Sequence, residues 1–185
     1  MKKNIAIVLA STFLLAASPA FADLFALEAD AQGSYVRVDN VSVPNQDTTG
    51  TISGMGAGFR GRLQILFLNA LIDYHHLFTG GKGADLLHVG LGVGYRTDMI
   101  PVIDIYVQGS VGLLMLAADA SAFGDNVSGY LDPEMGVQVR GGGGIEIPFA
   151  GDFLAIGVGV DFGGHYITGE FGYDMSINAH FGLRI

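Results

Sequence analysis

Strict alternation of apolar residues with polar or small ones is the feature that most restricts how this 185-residue chain can fold. From Ile103 to Leu113 every odd position is apolar or glycine, and the even positions carry residues such as Asp104 and Gln108. Side chains of a β-strand point alternately to its two faces, so this period predicts a strand with one apolar face. The same period recurs at about residues 25–36, 53–65, 68–78, 87–95, 137–147, 154–166 and 173–185. The sequence therefore predicts eight β-strands.

The connections between these segments alternate in length and composition. Residues 37–51 and 117–133 are long and rich in Asn, Asp, Ser, Gly and Pro, and residues 79–85 and 168–170 fall at the same end. Short turns at residues 66–67, 97–101 and 150–152 fall at the other end, although the first of them contains no residue typical of turns. Four loops at one end and three turns at the other predict an up-and-down meander of antiparallel strands.

The first 22 residues have the organisation of a secretory signal peptide. Two lysines precede a largely apolar stretch of 13 residues. That stretch is too short for a membrane-spanning helix, which needs about 20 residues. Ala20-Phe21-Ala22 then supplies the small-x-small pattern of a cleavage site. We therefore predict a cleaved signal peptide over residues 1–22 and an exported β-barrel over residues 23–185. The chain has no cysteine, so no disulfide can stabilise that barrel.

The composition of the second face of each strand indicates what the apolar face contacts. Only 15% of the residues are charged, whereas a typical soluble domain has about 25%. The second face instead carries glycine, isolated charges of both signs and Asn, Gln or His. Apolar faces turned towards hydrocarbon require a closed sheet, because no backbone group can stay unpaired there. The alternative is a soluble barrel around an apolar ligand, which would place Ile105, Val107, Val158 and Val160 inward.

The chain resembles the small outer-membrane barrels of the OmpA membrane-domain and OmpX type. The resemblance rests on the leader, the repeat of period two, the long loops opposite short turns and the strand-like final segment. Glycine-rich runs such as residues 141–144 are also similar. The resemblance implies an all-β fold, an eight-stranded antiparallel up-and-down transmembrane β-barrel in a Gram-negative outer membrane. It implies outer-membrane lipid, the insertion machinery and periplasmic chaperones as partners. Members of this family usually end in an aromatic residue that the machinery reads, whereas this chain ends in Ile185.

The polar face of the predicted barrel would line its lumen. Side chains can just fill the interior of a barrel of eight strands. The residues expected there mix acidic and basic groups, which favours an ion-paired plug because an unpaired buried charge is costly. Inward glycines on the fourth, sixth and seventh strands favour the alternative of a narrow conduit for small solutes. The predicted polar network of the lumen comprises Glu28, Asp30, Arg60, Arg62, Asp73, His88, Arg96, Asp104, Gln108, Gln138, Arg140, Glu146, Asp161, His165, Asp174, Asn178, His180 and Arg184.

Aromatic residues gather near both ends of the predicted strands, where the two membrane interfaces would lie. The predicted girdle at the loop end comprises Tyr35, Phe78, Tyr166 and Tyr173. The predicted girdle at the turn end comprises Phe25, Tyr95 and Phe149.

Little in the sequence indicates an active site. His76 is the one histidine predicted to face lipid, and no outward serine lies beside a carboxylate as a hydrolytic triad would require. The other histidines lack metal-ligand spacing, so we expect no enzymatic activity, no cofactor and no metal. The net charge of −9 argues against nucleic acid as a partner.

The function that the sequence favours is a structural or surface-interaction role, of the adhesion type, through the long exposed loops. The sequence identifies no surface partner. A narrow channel for small solutes is the first alternative. A lipid-modifying barrel enzyme and the soluble ligand-binding barrel are the others.

Overall fold

The computed structural model describes residues 25–42, 49–79, 83–100, 102–119, 132–167 and 169–185. The predicted signal peptide and the centres of the predicted loops lie outside these residues. The strands are β1 (Phe25–Ser42), β2 (Thr49–Ile65), β3 (Leu68–Leu77), β4 (Ala84–Ile100), β5 (Ile103–Ala118), β6 (Glu134–Phe149), β7 (Leu154–Ile167) and β8 (Glu170–Arg184).

Each strand pairs with the next in sequence, and β8 pairs with β1, so that the sheet closes into a barrel. All eight pairings are antiparallel. At the seam, the Ile185 N–H donates to the Phe25 carbonyl at 2.8 Å, and the Phe25 N–H donates to the Ile185 carbonyl at 3.0 Å. A closed sheet has no unpaired edge. The predicted antiparallel up-and-down barrel of eight strands is confirmed.

The apolar residues of the alternating pattern point outward. Val107 is 43% exposed and Val158 is 52% exposed, whereas the neighbouring Asp161 is buried. The alternative of a soluble barrel with its faces reversed is therefore wrong, because it required both valines to point inward. No helix in the described part of the chain is long and apolar enough to cross a membrane.

The predicted loops at one end of the barrel are too long, because the strands run on beyond the segments where the alternation was read. β1 continues through residues 37–42, β2 begins at Thr49, β5 runs to Ala118 and β6 begins at Glu134. In these extensions the polarity of the faces reverses. Val36 and Val38 point inward and are buried, while Arg37 between them points outward. Because the outward residues become polar, the sequence of the continuing strand resembles that of a polar connection.

The turn at residues 66–67 is present as predicted and connects β2 to β3. Leu66 adopts a φ of 57°, a left-handed conformation that large side chains rarely accept. The Gln64 amide donates a hydrogen bond to the Leu66 carbonyl at 2.7 Å. This side-chain contact supports the turn where the sequence offers no glycine or proline.

Candidate functional site

The barrel interior contains three groups of side chains, stacked from the turn end to the loop end. The first, the turn-side cluster, combines three carboxylates with three guanidiniums. Arg184 contacts Asp104 at 2.7 Å and also Glu146, and Nε of Arg96 donates to Glu146 at 2.9 Å. Its members are Glu28, Arg62, Arg96, Asp104, Glu146 and Arg184. Equal numbers of opposite charges meet here, so the cluster is neutral.

The second group, the central cluster, has four carboxylates and two guanidiniums. Arg60 reaches three carboxylates, Asp161 at 2.9 Å, Asp73 at 3.2 Å and Asp30 at 3.4 Å. Arg140 contacts Asp174 at 2.5 Å and also Asp73. Its members are Asp30, Arg60, Asp73, Arg140, Asp161 and Asp174. The two arginines therefore bridge carboxylates carried by different strands.

Neutral polar groups complete the central cluster. Asp161 accepts hydrogen bonds from Gln108 at 2.9 Å and from Asn178 at 2.8 Å. The His75 ring lies 2.9 Å from Asp73 through Nε2. Buried carboxylates need such donors, because a buried carboxylate oxygen without a hydrogen-bond donor bears the full cost of its desolvation.

The third group, the apolar layer, fills the loop end of the interior. Its residues are buried and contain no charged group, and they form one cluster. The layer comprises Val36, Val38, Val41, Ile52, Leu77, Ala84, Leu86, Leu114, Leu116, Ala118 and Ile167. Sequence reasoning missed this layer, because most of its residues lie beyond the ends of the predicted strands, and Val38, Val41, Ala84 and Ala118 fall in predicted loops. The signal was present as the reversed phase of the alternation.

Side chains from other strands fill the space beside the inward glycines. A Cβ placed on Gly159 would overlap the Tyr106 hydroxyl, and one on Gly157 would overlap the His180 ring. On β6, a Cβ at Gly142 would overlap the Asp161 carboxylate. These glycines therefore make room for the large groups of the lumen and do not leave a channel open.

One small cavity lies among the side chains of the central cluster. A cavity of about 10 Å³ lies beside Arg60, Asn69, Gln108, Arg140 and Asp161. A single water needs about 10–15 Å³ of such space. Two larger depressions, of about 700 and 650 Å³, are open grooves lined mainly by outward apolar side chains of the wall.

The predicted lumen residues all lie on the inner face, where the structure brings them into the two charged clusters and their surroundings. Arg96 and Gln108 are partly buried. The buried ones are Glu28, Asp30, Arg60, Arg62, Asp73, His88, Asp104, Gln138, Arg140, Glu146, Asp161, His165, Asp174, Asn178, His180 and Arg184. The prediction lacked Tyr106, whose hydroxyl donates to Asn178 at 3.2 Å and whose ring lies 5.8 Å from the Arg62 guanidinium. Its even position within the alternation of β5 would have identified it.

The aromatic residues of both predicted girdles lie at the surface. Phe78, Tyr95, Phe149, Tyr166 and Tyr173 are exposed, and Phe25 and Tyr35 are half-buried. At the loop end the rings of Tyr35 and Tyr173 are 6.3 Å apart between centroids. Phe171, which the prediction omitted, lies 5.0 Å from Tyr166. Phe25, Phe78, Phe149 and Tyr166 lie at or next to strand ends, whereas Tyr35 and Tyr95 lie several residues inside β1 and β4.

Comparison with solved structures finds the same architecture. Neisserial surface protein A (NspA) matches with a TM-score of 0.56 and 14% identity, over 87% of this chain and 97% of that one. The chain has the fold of the small outer-membrane β-barrels. The N-terminal β-barrel domain of Pseudomonas aeruginosa OprF matches with a TM-score of 0.49, at 13% identity over 85% of this chain and 97% of that one. Ail, the attachment invasion locus protein of Yersinia pestis, matches with a TM-score of 0.43, at 9% identity over 86% of this chain and 97% of that one.

No family model matches this barrel, and no curated protein matches it. At 14% identity the likeness to NspA establishes the fold alone.

His76 points outward on β3, as predicted, and it does have a carboxylate partner. Its Nδ1 lies 2.8 Å from Oδ1 of Asp85 on β4. Sequence reasoning missed Asp85, because it assigned residues 79–85 to a loop. In the β3–β4 hairpin the two residues are direct cross-strand partners. This pair lies on the outer wall of the barrel, apart from the lumen.

Proposed function

We propose that this chain is an integral outer-membrane barrel with a structural or surface-interaction role, and that it conducts no solutes. Its closed sheet satisfies the backbone groups that hydrocarbon would leave unpaired. All eight strands carry apolar residues on the outer wall, and residues such as Leu91, Val111 and Ile177 are well exposed. The likeness of fold to outer-membrane barrels supports the same location.

The observation that carries the proposal is the filled lumen. A solute crossing the barrel would have to pass both charged clusters and then the apolar layer. The central cluster ties opposite walls together through Arg60 and Arg140. A cavity of only about 10 Å³ lies among the side chains of this cluster. These contacts support the plug and argue against the conduit, for which inward glycines were the main indication.

The surface role is supported by the connections at the loop end. Residues 43–48 and 120–131 are rich in Asn, Asp, Ser, Gly and Pro, and they fall opposite the short turns. Long polar loops on a rigid barrel are a common location for recognition. We propose that these loops contact a surface partner outside the cell, and that outer-membrane lipid, the insertion machinery and periplasmic chaperones are partners of the barrel itself. In this proposal residues 1–22 act as the export signal, and the role of the protein is not enzymatic.

Planar-bilayer recording of the purified protein tests the non-conducting role. We expect no steady conductance, whereas a porin reconstituted in parallel gives open channels. Membrane fractionation tests the location. The protein should stay in the membrane pellet after a salt wash and should migrate differently on gels when unboiled. Steady conductance of the pure protein would contradict the plug, and release by salt would contradict integral insertion.

Shortening one loop tests the surface role. Replacing residues 43–48 by a two-residue turn should abolish adhesion of expressing cells to cultured epithelial cells, while the unboiled barrel still migrates as a folded band. A matched control shortens the turn end, at residues 150–152. Equal adhesion of both variants would contradict a role for this loop.

A further inference from the structure

A cluster of three polar side chains lies on the outer wall, where β3 and β4 approach the loop end. The Tyr74 hydroxyl donates to Oδ1 of Asp85 at 2.6 Å. Nδ1 of His76 lies 2.8 Å from the same oxygen. The His76 side chain is 38% exposed and that of Asp85 is 47% exposed. We call these three residues the wall cluster.

The hydrogen bonds of the wall cluster leave acceptors facing outward. An ionised carboxylate only accepts, so Nδ1 of His76 must carry the hydrogen of its bond to Asp85. The Tyr74 hydroxyl donates its only hydrogen to the same oxygen. Oδ2 of Asp85 and Nε2 of His76 have no hydrogen-bond partner among the described residues. With His76 neutral, the cluster therefore presents two acceptors and a negative charge.

Space and aromatic surface surround these acceptors. A Cβ on Gly83 would lie against the Leu77 carbonyl oxygen and 3.2 Å from Nε2 of His76, so a side chain at this position would crowd that edge of the ring. The φ of +81° at Gly83 also favours glycine. The Phe78 ring meets the His76 ring edge-on at 5.4 Å, and the Phe59 ring lies 5.4 Å from the Tyr74 ring. Aromatic faces beside a carboxylate are suited to a cation.

The wall cluster lies close to the depth of a membrane interface. Leu68, at the turn end of β3, and His76 are eight residues apart on one strand. That spacing is about 27 Å along the strand, or about 20 Å along the barrel axis at a tilt of about 40°. The apolar band of an outer-membrane barrel is about 25 Å tall. His76 and Asp85 therefore lie near its upper border, next to Phe78 of the aromatic girdle.

We propose that the wall cluster binds the primary ammonium of a lipid headgroup, with Oδ2 of Asp85 and Nε2 of His76 as the accepting atoms. The inference rests on the proposed insertion of the barrel in a membrane. A primary ammonium offers three N–H donors to the two acceptors, whereas a trimethylated headgroup offers none. An anionic phosphate is disfavoured by the Asp85 charge. The described residues include no group of three side chains that could hold a metal ion.

Lipid competition on the folded protein in detergent micelles tests the site. Lyso-phosphatidylethanolamine and lyso-phosphatidylcholine with the same acyl chain are titrated separately, and the His76 ring signals are followed by NMR. Charge-assisted hydrogen bonds predict a preference of about tenfold for the ethanolamine lipid. Asp85→Asn should reduce that preference to less than about twofold, because the ammonium loses its charged acceptor.

Asp39→Asn is the matched control. Asp39 is also an outward carboxylate near the loop end, but Arg37 and Thr51 already occupy its oxygens. The control should keep the full preference for the ethanolamine lipid. Free ethanolamine in the same titration should shift the ring signals only at far higher concentration.

Three results would overturn the proposal: equal binding of the two lipids by the wild type, full preference in Asp85→Asn, or free ethanolamine binding as well as the lipid. Each sample is also checked for the folded, unboiled gel band and for vesicle insertion. A failure of insertion would contradict the proposed function. An inserted barrel without lipid preference would contradict the wall cluster alone.

Discussion

Arg60 and Asp161 meet inside the barrel, with Nη1 of the arginine 2.9 Å from Oδ2 of the aspartate, although 101 positions separate them in sequence. Their strands, β2 and β7, are not neighbours in the sheet, since β1 and β8 lie between them. The contact therefore crosses the lumen and joins opposite walls. Both side chains are almost fully buried, so the pair lies in a region of low dielectric where losing one partner is expensive.

Removing Arg60 should destabilise the barrel far more than removing one of its partners. Arg60→Met leaves Asp30, Asp73 and Asp161 without their shared cation. We expect a loss of about 3–5 kcal/mol in the free energy of unfolding, because uncompensated charges stay buried. Denaturant titration in detergent, followed by the unboiled gel band, measures that loss.

Asp30→Asn is the matched change. The central cluster has two carboxylates more than guanidiniums, and the Asp30 contact to Arg60 is the longest of the three at 3.4 Å. Removing this charge relieves repulsion among the remaining carboxylates, so the expected loss is below about 1 kcal/mol. Equal losses in both variants would contradict the central role of Arg60.

Filling an inward glycine should strain the lumen without altering its conductance. Gly159→Ala places a methyl group against the Tyr106 hydroxyl and 3.0 Å from the Asn178 side-chain oxygen. Overpacking of this kind costs about 1–3 kcal/mol. Tyr106→Phe removes the hydroxyl, so the double variant should recover part of the loss. Denaturant midpoints of the four proteins in this cycle provide the measurement. An additive double variant would show that Gly159 and Tyr106 do not compete for the same space.

The strand number, the topology and the faces of the barrel could be predicted because outward apolar residues and inward polar residues alternate with a period of two along each strand. The ends of the strands could not. Where β1 leaves the apolar band, its outward residues become Arg37 and Asp39, and its inward residues become Val36 and Val38. The same alternation continues with reversed polarity. A pattern search for one apolar face therefore ends the strand where its outward residues become polar.

The sequence predicts which residues line the lumen better than it predicts which of them contact one another. Inward orientation follows from parity on a single strand, but the partner of Arg60 depends on how strands on opposite walls are staggered. That stagger is a property of the closed barrel and leaves no local mark on the sequence. The His76–Asp85 pair was missed because residues 79–85 were assigned to a loop, and its contact also depends on the hairpin register, which fixes the cross-strand partners.

The pKa of Asp39 should be lowered by its two donors at the loop end. Arg37 donates through Nε to Oδ2 at 3.1 Å, and the Thr51 hydroxyl donates to Oδ1 at 2.8 Å. These hydrogen bonds, that from Arg37 first, hold the pKa below its ordinary value of 3.8. Carboxyl ¹³C NMR should show the pKa rising in Arg37→Ala, and rising less in Thr51→Val.

The direction of the linked stability effect follows from that lowered pKa. Since the folded form has the lower value, the stabilising contribution is present above the unfolded pKa and is lost as the pH falls through the folded pKa. Added salt should diminish the part that comes from Arg37, because the pair is exposed to solvent. An unchanged pKa in both variants would contradict the hydrogen bonds described here.

The folding free energy lost when a charge is placed on the outer wall should depend on the depth of that position in the bilayer. Val158 lies on β7, four residues above the turn end, with its side chain in the apolar band. Val158→Arg should cost about 2–4 kcal/mol of folding free energy in a bilayer, because a cation near the midplane loses its hydration. Met135→Arg places the same charge at the loop-side end of β6, where the expected cost is about 0–1 kcal/mol. Refolding into phospholipid vesicles from urea, monitored by the unboiled gel band, gives both values. Equal costs at the two positions would mean that the exposed valines do not contact acyl chains, and the outward apolar wall would then need another explanation.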